Sequence, residues 1–130
     1  MSTVLVDTNV YSQAMRGTPE AIVVLRTSDR LLMCPIVLGE LRNGFGRGTR
    51  EADNLESLHQ FLRSPRVEPV SITPDTAEHY AAILNRLQAK GTPIPTNDIW
   101  IAACAIEHGA KLATYDRHFA QVDGLLQQQL

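Results

Sequence analysis

The clearest pattern in the sequence is a set of short, mostly apolar runs that stop at polar or helix-starting residues. Residues 3–6, 31–34 and 111–114 form three such runs. Runs of this length are typical of buried strands and are short for helices. A fourth run, residues 66–70, contains Pro69, which cannot donate a hydrogen bond to a neighbouring strand. We therefore predict three buried strands and a fourth at an edge of the sheet.

The segments between these runs carry apolar residues at helical spacing. The clearest stripe consists of Leu55, Leu58, Phe61 and Leu62. We predict helices over residues 10–15, 19–27, 35–41, 50–62, 74–90 and 97–106, with a helical turn at 117–121. Glycines at 44, 46 and 48 should end the third helix, and Thr96 or Asn97 should cap the sixth. Strands that alternate with helices predict an α/β fold, a three-layer α/β/α sandwich with a short central parallel sheet, in a single domain over residues 1–130.

Composition narrows the class of protein. With 44% hydrophobic and 20% charged residues, the 130-residue chain has the balance of a folded globular domain. Its formal charge of −2 lacks the basic excess of many nucleic-acid-binding proteins, so a polyanion would have to be held by local positive charge. The apolar runs are shorter than the roughly 20 residues of a membrane helix, and the start does not resemble a secretory signal. These features predict a cytoplasmic protein whose Cys34 and Cys104 are buried, reduced thiols.

Four acidic residues occupy positions that would bring them together. Asp7 follows the first predicted strand, Asp116 follows the last, Glu40 lies in a helix, and Asp98 stands in the first turn of the most apolar helix. Sites in parallel sheets lie outside the carboxyl ends of the strands. Crowded carboxylates need a cation, and an all-oxygen cluster favours Mg²⁺ or Mn²⁺ over zinc. Each acid taken alone could instead be structural, Asp98 as a helix-start charge and the others as turn or surface residues.

The motifs around these acids resemble those of a known family. They are Asp7-Thr8-Asn9, residues 39–44 (GELRNG), residues 97–103 (NDIWIAA) and residues 114–119 (TYDRHF). Together they resemble the PIN domain, specifically the VapC ribonuclease toxins of bacterial type II toxin–antitoxin pairs. The resemblance covers essentially the whole chain, with the motifs in the expected order.

The resemblance implies an Mg²⁺- or Mn²⁺-dependent endoribonuclease that hydrolyses RNA phosphodiester bonds with a metal-activated water. Asp7, Glu40, Asp98 and Asp116 would be its catalytic quartet. Asp7, Asp98 and Asp116 would bind metal, and Glu40 would act through a water or orient the nucleophile. Asn9 and Thr114 resemble the polar residues that support the quartet. A VapB-like antitoxin, an RNA substrate and a second copy of the chain are the implied partners, with DNA reached only through the antitoxin.

Basic residues near the acids are candidates for RNA binding. Arg42 and Arg47, with Arg50, bracket a predicted glycine-rich turn at residues 43–48, and Arg117 follows Asp116. Helix-end solvation explains the first group equally well. Phe45 could stack on a base or pack in the core. No histidine is required by this chemistry, and all four are expected to be solvated.

Two other functions compete with the nuclease. The chain could serve mainly in transcriptional repression, as part of a DNA-binding toxin–antitoxin complex. A phosphoaspartate phosphatase is disfavoured because Asn9 stands where its acid/base aspartate would be. The helices at residues 19–27 and 50–62 are the expected surfaces for the antitoxin or a second copy, because they lie further from the centre of the predicted sheet.

Overall fold

The computed structural model describes residues 2–130, in which five parallel strands form one sheet. The strands are β1 (Thr3–Val6), β2 (Arg30–Met33), β3 (Val67–Pro69), β4 (Lys111–Thr114) and β5 (Gln127–Gln129), in the spatial order β3-β2-β1-β4-β5. The α-helices of these residues are α1 (Thr8–Met15), α2 (Pro19–Thr27), α3 (Pro35–Gly46), α4 (Glu51–Leu62), α5 (Pro74–Lys90) and α6 (Thr96–Glu107), and a 3₁₀ helix (Arg117–Gln121) follows β4. The predicted α/β sandwich around a short parallel sheet is confirmed.

The centre of the sheet is fully buried. Leu5 of β1 pairs with Leu32 of β2 on one side and Leu112 of β4 on the other, and all three side chains are at most 1% exposed. Apolar side chains on the inner strands explain why their sequence lacks the alternation of a sheet with one wet face. The weaker strand β3, with Pro69 at its end, lies at an edge as predicted.

Helix α6 is the most buried helix, and its composition explains its position. Residues 101–105 are all inaccessible to solvent, and three of them are alanines. Small side chains let the helix backbone pack closely against its neighbours, which include α5, α3 and β4. A helix that connects parallel strands runs antiparallel to them, so the start of α6 lies at the carboxyl ends of the strands. This packing determines where Asp98 lies.

Helix α3 is longer than the sequence pattern predicts. The prediction that Gly44 and its neighbouring glycines end the helix near residue 41 is wrong, since α3 continues to Gly46. Each glycine costs about 1 kcal/mol relative to alanine in a helix. Burial of Leu41 and packing of Phe45 against the core hold the extra turn despite that cost. Arg42 therefore lies on a helix and Arg47 at its C-terminal cap, rather than on either side of a turn.

Two details at the other end of the chain also differ from expectation. Strand β5 is not predicted by the sequence pattern, because its three glutamines carry no apolar signal. It pairs with β4 at the second edge of the sheet.

The predicted capping of α6 by Thr96 or Asn97 is wrong. Pro95 occupies the cap position, and the side chain of Asn97 bonds to Glu40 instead.

The cysteines behave as predicted. Cys34 and Cys104 are both buried and free within the part of the chain that the structure describes. In residues 2–130, no helix combines the length and apolar character needed to cross a bilayer.

We predict that Gly39→Ala stabilises the protein. Gly39 lies inside α3, and apart from its chain neighbours and the backbone of its own helix, no atom of the described residues is within 4 Å of the position that its Cβ would take. Alanine should raise the free energy of unfolding by about 0.5–1 kcal/mol through its helix propensity. Urea unfolding measures the change, and a loss of stability would contradict the prediction.

Gly91→Ala is the matched control for this experiment. Gly91 caps α5 with a φ of 70°, a left-handed conformation that disfavours a Cβ. The same substitution should therefore lower stability there by about 1–2 kcal/mol.

Candidate active site at the carboxyl edge of the sheet

The four acidic residues come from different elements that converge where the central strands end. Asp7 directly follows β1 and caps α1, and Asp116 caps the 3₁₀ helix two residues after β4. Glu40 lies in the middle of α3, and Asp98 lies in the first turn of α6. Contacts and mutual charge effects connect all four. The structure thus brings the predicted quartet to one edge of the sheet.

Asp7 is the most buried of these acids, with 6% of its surface exposed. Its Oδ1 accepts a hydrogen bond from the Thr8 amide at 2.9 Å, and its Oδ2 accepts one from the Thr114 hydroxyl at 2.6 Å. Burial raises the pKa of Asp7 above its ordinary value, although these two bonds oppose the shift. The charges of Asp98 and Glu40 raise that pKa further.

Glu40 is held by residues from two other helices. Its Oε1 accepts a hydrogen bond from the Thr8 hydroxyl at 2.6 Å, and its Oε2 accepts one from the Asn97 amide at 3.3 Å. Both carboxylate oxygens are therefore oriented by neighbours, one at the start of α1 and one at the start of α6. The side chain of Asn97 thereby joins Glu40 to the helix that carries Asp98.

Asp98 and Asp116 share a histidine. The Nδ1 atom of His118 lies 3.1 Å from Oδ2 of Asp98 and 3.0 Å from Oδ1 of Asp116. Burial raises the pKa of Asp98, while the hydrogen bond to His118 opposes that shift. The pKa of His118 is raised in turn, first by its hydrogen bond to Asp98 and then by the charge of Asp116. His118 is exposed to solvent as expected, but its contacts with two carboxylates were not predicted.

The supporting residues differ in part from those predicted. Thr114 is fully buried, donates to Asp7 and accepts a 2.9 Å bond from the Asp116 amide, so it contacts two of the acids. Asn9 is exposed, and its side chain forms no hydrogen bond within residues 2–130. Sequence reasoning missed Thr8, Asn97 and His118. Their signal was proximity in sequence, since each lies within two residues of a quartet member.

The predicted RNA-binding arginines lie on the protein surface. Arg42, Arg47 and Arg117 are all exposed. A cavity of about 760 Å³ opens beside Thr8 and Glu40, between α1, α3 and α4, and the arginines that line it are Arg16 and Arg50. Positive charge is therefore available near the acids. Of the basic residues named from the sequence, Arg50 lines the cavity, and Arg42, Arg47 and Arg117 do not.

The donor atoms of the site suit a divalent cation. One ligand atom from each of Asp98, Asp116 and His118 lies within 4.8 Å of the other two. Carboxylate oxygens favour Mg²⁺ and Mn²⁺, and the buried carboxylate of Asp7 carries charge that lacks full compensation. The residues present therefore fit such an ion. His118 adds a nitrogen to a cluster that was expected to be all oxygen.

Comparison with known proteins identifies the family. The sequence matches the PIN domain over residues 4–125. The chain belongs to the PIN domain family. Ribonuclease VapC4 of Mycobacterium tuberculosis is 33% identical over 85 residues, which are 65% of each chain. Ribonuclease VapC1 of Haemophilus influenzae (strain R2866) is 29% identical over 126 residues, covering 93% of this chain and 92% of the relative.

A solved structure extends the likeness to the backbone of the PIN domain. A chain in the crystal structure of DNA-bound VapBC from Salmonella typhimurium is 28% identical, with a TM-score of 0.84. The match covers 99% of this chain and 98% of the other. The resemblance to the PIN domain and to VapC proteins that the sequence motifs indicated is confirmed.

We predict that Asp7→Asn gains stability relative to the wild type as the pH rises. The raised pKa of Asp7 means that the native protein binds a proton more readily than the unfolded chain does. Ionisation therefore lowers the free energy of unfolding as the pH rises from below 3.8 through the folded-state pKa. Asparagine removes this penalty, so the difference between variant and wild type should grow as the pH rises above 3.8 and level off above the folded-state pKa.

Urea unfolding at a series of pH values, with a chelator present, measures this difference. Asp75→Asn removes an exposed carboxylate from α5 and controls for the loss of one charge. A difference between Asp7→Asn and the wild type that is constant with pH, or that shrinks as the pH rises, would contradict the role of burial.

Proposed function

We propose that this protein is a metal-dependent endoribonuclease and the toxin of a type II toxin–antitoxin pair. The observation that carries the proposal is the convergence of Asp7, Glu40, Asp98 and Asp116 from separate elements at one edge of the sheet. Relatives named as VapC ribonucleases, matched over nearly the whole chain, support the same conclusion. The proposed compartment is the cytoplasm.

In this proposal the acids bind a cation and orient a water molecule, and none of them attacks the substrate itself. Asp7 and Asp98 would hold Mg²⁺ or Mn²⁺, Asp116 would complete a second metal position, and Glu40 would orient the attacking water. When bound there, a cation would supply positive charge that activates water and stabilises charge developing on the phosphate. Thr114 fixes Asp7 and Asp116 through its hydroxyl group, and Thr8 and Asn97 fix Glu40. Asn9 lies beside them on the wall of the cavity.

The RNA backbone requires positive charge beside this acidic cluster. Arg117 is exposed next to Asp116, and Arg42 and Arg47 are exposed on and after α3. We assign these three side chains to the phosphates that flank the cleaved bond. Their exposure leaves the guanidinium groups free to approach RNA.

The proposed protein partners are inferred from the solved structures of the relatives. The Salmonella typhimurium structure is described as DNA-bound VapBC, and a Haemophilus influenzae structure with 27% identity and a TM-score of 0.83 is described as VapBC-1. We propose that this chain likewise forms a homodimer and binds a VapB-like antitoxin through α2 and α4. Contact with DNA would then occur only through the antitoxin. A role in repression is the alternative that the DNA-bound relative favours, and it is compatible with nuclease activity.

We predict that the purified protein cleaves RNA only with Mg²⁺ or Mn²⁺. Asp7→Asn, Asp98→Asn and Glu40→Gln should each lower the rate by at least about 100-fold, because stabilisation by a bound cation amounts to several kcal/mol. Asp116→Asn should cost less, because Asp116 is assigned to a second metal position. The measurement is the initial rate on a labelled RNA.

Asp75→Asn, which changes an exposed acid on α5, should keep the wild-type rate. The proposal is wrong if chelator-treated protein cuts RNA at the same rate, or if all four site variants retain full activity. Circular dichroism of each variant separates loss of chemistry from loss of fold.

We predict that the antitoxin inhibits by placing a basic side chain among the carboxylates, where it would compete with the cation. Replacing that residue with alanine should restore RNA cleavage while the complex still forms. The measurements are the cleavage rate and light scattering of the complex. A complex that cuts RNA as fast as the free protein would contradict this mechanism, and a monomer at micromolar concentration would contradict the homodimer.

A further inference from the structure

The cavity beside Glu40 extends from the acidic site to helix α4. Its volume of about 760 Å³ lies within the range of about 300–1,000 Å³ that is typical of ligand sites. Thr8 and Glu40 line it on one side, and Asn54 and Ser57 of α4 line it on another. A ligand in this cavity would therefore extend from the proposed catalytic carboxylates to the surface of α4.

Neutral hydrogen-bonding residues are the most numerous class in the lining. Asn9, Ser12, Asn54 and Ser57 contribute amides and hydroxyls, which are the groups that recognise the edges of unpaired bases. Phe45, partly buried, and Met15, about half exposed, add apolar surface on which the face of a base can lie.

The charged lining residues suit a polyanion that enters from one side. Arg16 is exposed at the end of α1, and Arg50 lies 3.5 Å from Asp53 in an exposed ion pair. Asp53 is thereby partly neutralised, which leaves Arg16 to attract a phosphate. Glu40 is the remaining lining acid, and it belongs to the proposed catalytic site.

Tyr11 gives this cavity an unpaired polar group. Its side chain is 1% exposed, and its hydroxyl has no hydrogen-bond partner within residues 2–130. Its ring packs edge-on against Phe61 with a centroid distance of 5.2 Å, so the packing holds the side chain at the cavity wall. A buried hydroxyl without a partner costs about 1–3 kcal/mol, and a polar ligand that reaches it would recover part of that cost.

We propose that this cavity binds a nucleotide of the RNA substrate adjacent to the cleaved bond, with Tyr11, Ser12 and Asn54 contacting the base or ribose. The proposal rests on the proposed nuclease function, since it places the nucleotide next to Glu40. A segment of the antitoxin is the competing occupant. The neutral amides and hydroxyls, together with direct continuity with Glu40, favour the nucleotide.

The first test measures binding without cleavage. A fluorescently labelled ten-nucleotide RNA of mixed sequence is titrated with the full-length protein in chelator, and its anisotropy gives Kd. Ser12→Ala and Asn54→Ala should each raise Kd by about 3- to 10-fold, the value of one lost hydrogen bond. Gln60→Ala, at an exposed amide on the same helix as Asn54 but outside the cavity lining, should leave Kd unchanged.

Tyr11→Phe separates a binding role from a structural one. Removing an unpaired hydroxyl should leave the melting temperature unchanged or raise it, whereas RNA binding should weaken about 3- to 10-fold. If Tyr11 had only a structural role, the substitution would not weaken RNA binding while the melting temperature stayed the same or rose. A variant that binds RNA as tightly as the wild type would count against the contact.

The second test maps the bound nucleotide by cleavage. A randomised RNA pool is cut in the presence of Mn²⁺ and its new ends are sequenced. Asn54→Ala and Ser57→Ala should relax the base preference at one position at a fixed distance from the cut, and Gln60→Ala should not. A wild-type preference that persists in both variants would overturn the proposal.

The outcomes distinguish this proposal from the nuclease itself. If the wild type cuts RNA but the cavity variants keep wild-type Kd and preference, the nucleotide site is wrong and the nuclease stands. If the wild type binds RNA and the variants bind it more weakly, but nothing is cut, the site stands and the nuclease is wrong. If amide shifts in NMR spectra place the ten-nucleotide RNA outside the cavity, or wild-type protein binds no RNA, the nucleotide site is overturned.

Discussion

The buried carboxylate of Asp7 is the constraint around which the rest of the edge is arranged. Burial opposes its ionisation, and the charge is tolerated because the Thr8 amide and the Thr114 hydroxyl donate to it. Val6 and Ala113 pair across β1 and β4, so the residues that follow them emerge side by side. The parallel sheet itself therefore brings the donor to the acceptor. The same Thr114 hydroxyl accepts the Asp116 amide, and one buried side chain thus orients two acids.

The other two acids depend on helix packing rather than on strand register. Asp98 is held where it is because α6 buries a run of small and aliphatic residues against α5 and β4. The two carboxylate oxygens of Glu40 are each fixed by a hydrogen bond, one from Thr8 of α1 and one from Asn97 of α6. A loss of packing at α6 would therefore displace Asp98 directly and Glu40 through Asn97.

The sequence correctly predicts the elements with a strong hydrophobic pattern. Its prediction is wrong where tertiary packing overrides the local conformational preference. The strands β1, β2 and β4 and the bounds of α2 follow from apolar runs and from Pro19, which starts α2. The extra turn of α3 was missed because glycine propensity is local whereas the packing of Phe45 is not. The quartet was predictable because parallel strands end at one edge. His118 was not, since only the turn of the 3₁₀ helix points its ring back at two carboxylates.

The negative charge of the site is compensated to different extents in two halves, one formed by Asp98 and Asp116 and the other by Asp7 and Glu40. His118 already offers a donor to Asp98 and Asp116, so the charge of that half is partly compensated. Within residues 2–130, no basic side chain forms an ion pair with Asp7 or Glu40, and hydroxyl and amide donors alone hold them. A cation gains most where negative charge is least compensated. In the proposed function Asp7 is a metal ligand, so a basic residue of the antitoxin that approaches Asp7 and Glu40 would compete with the metal ion for that ligand.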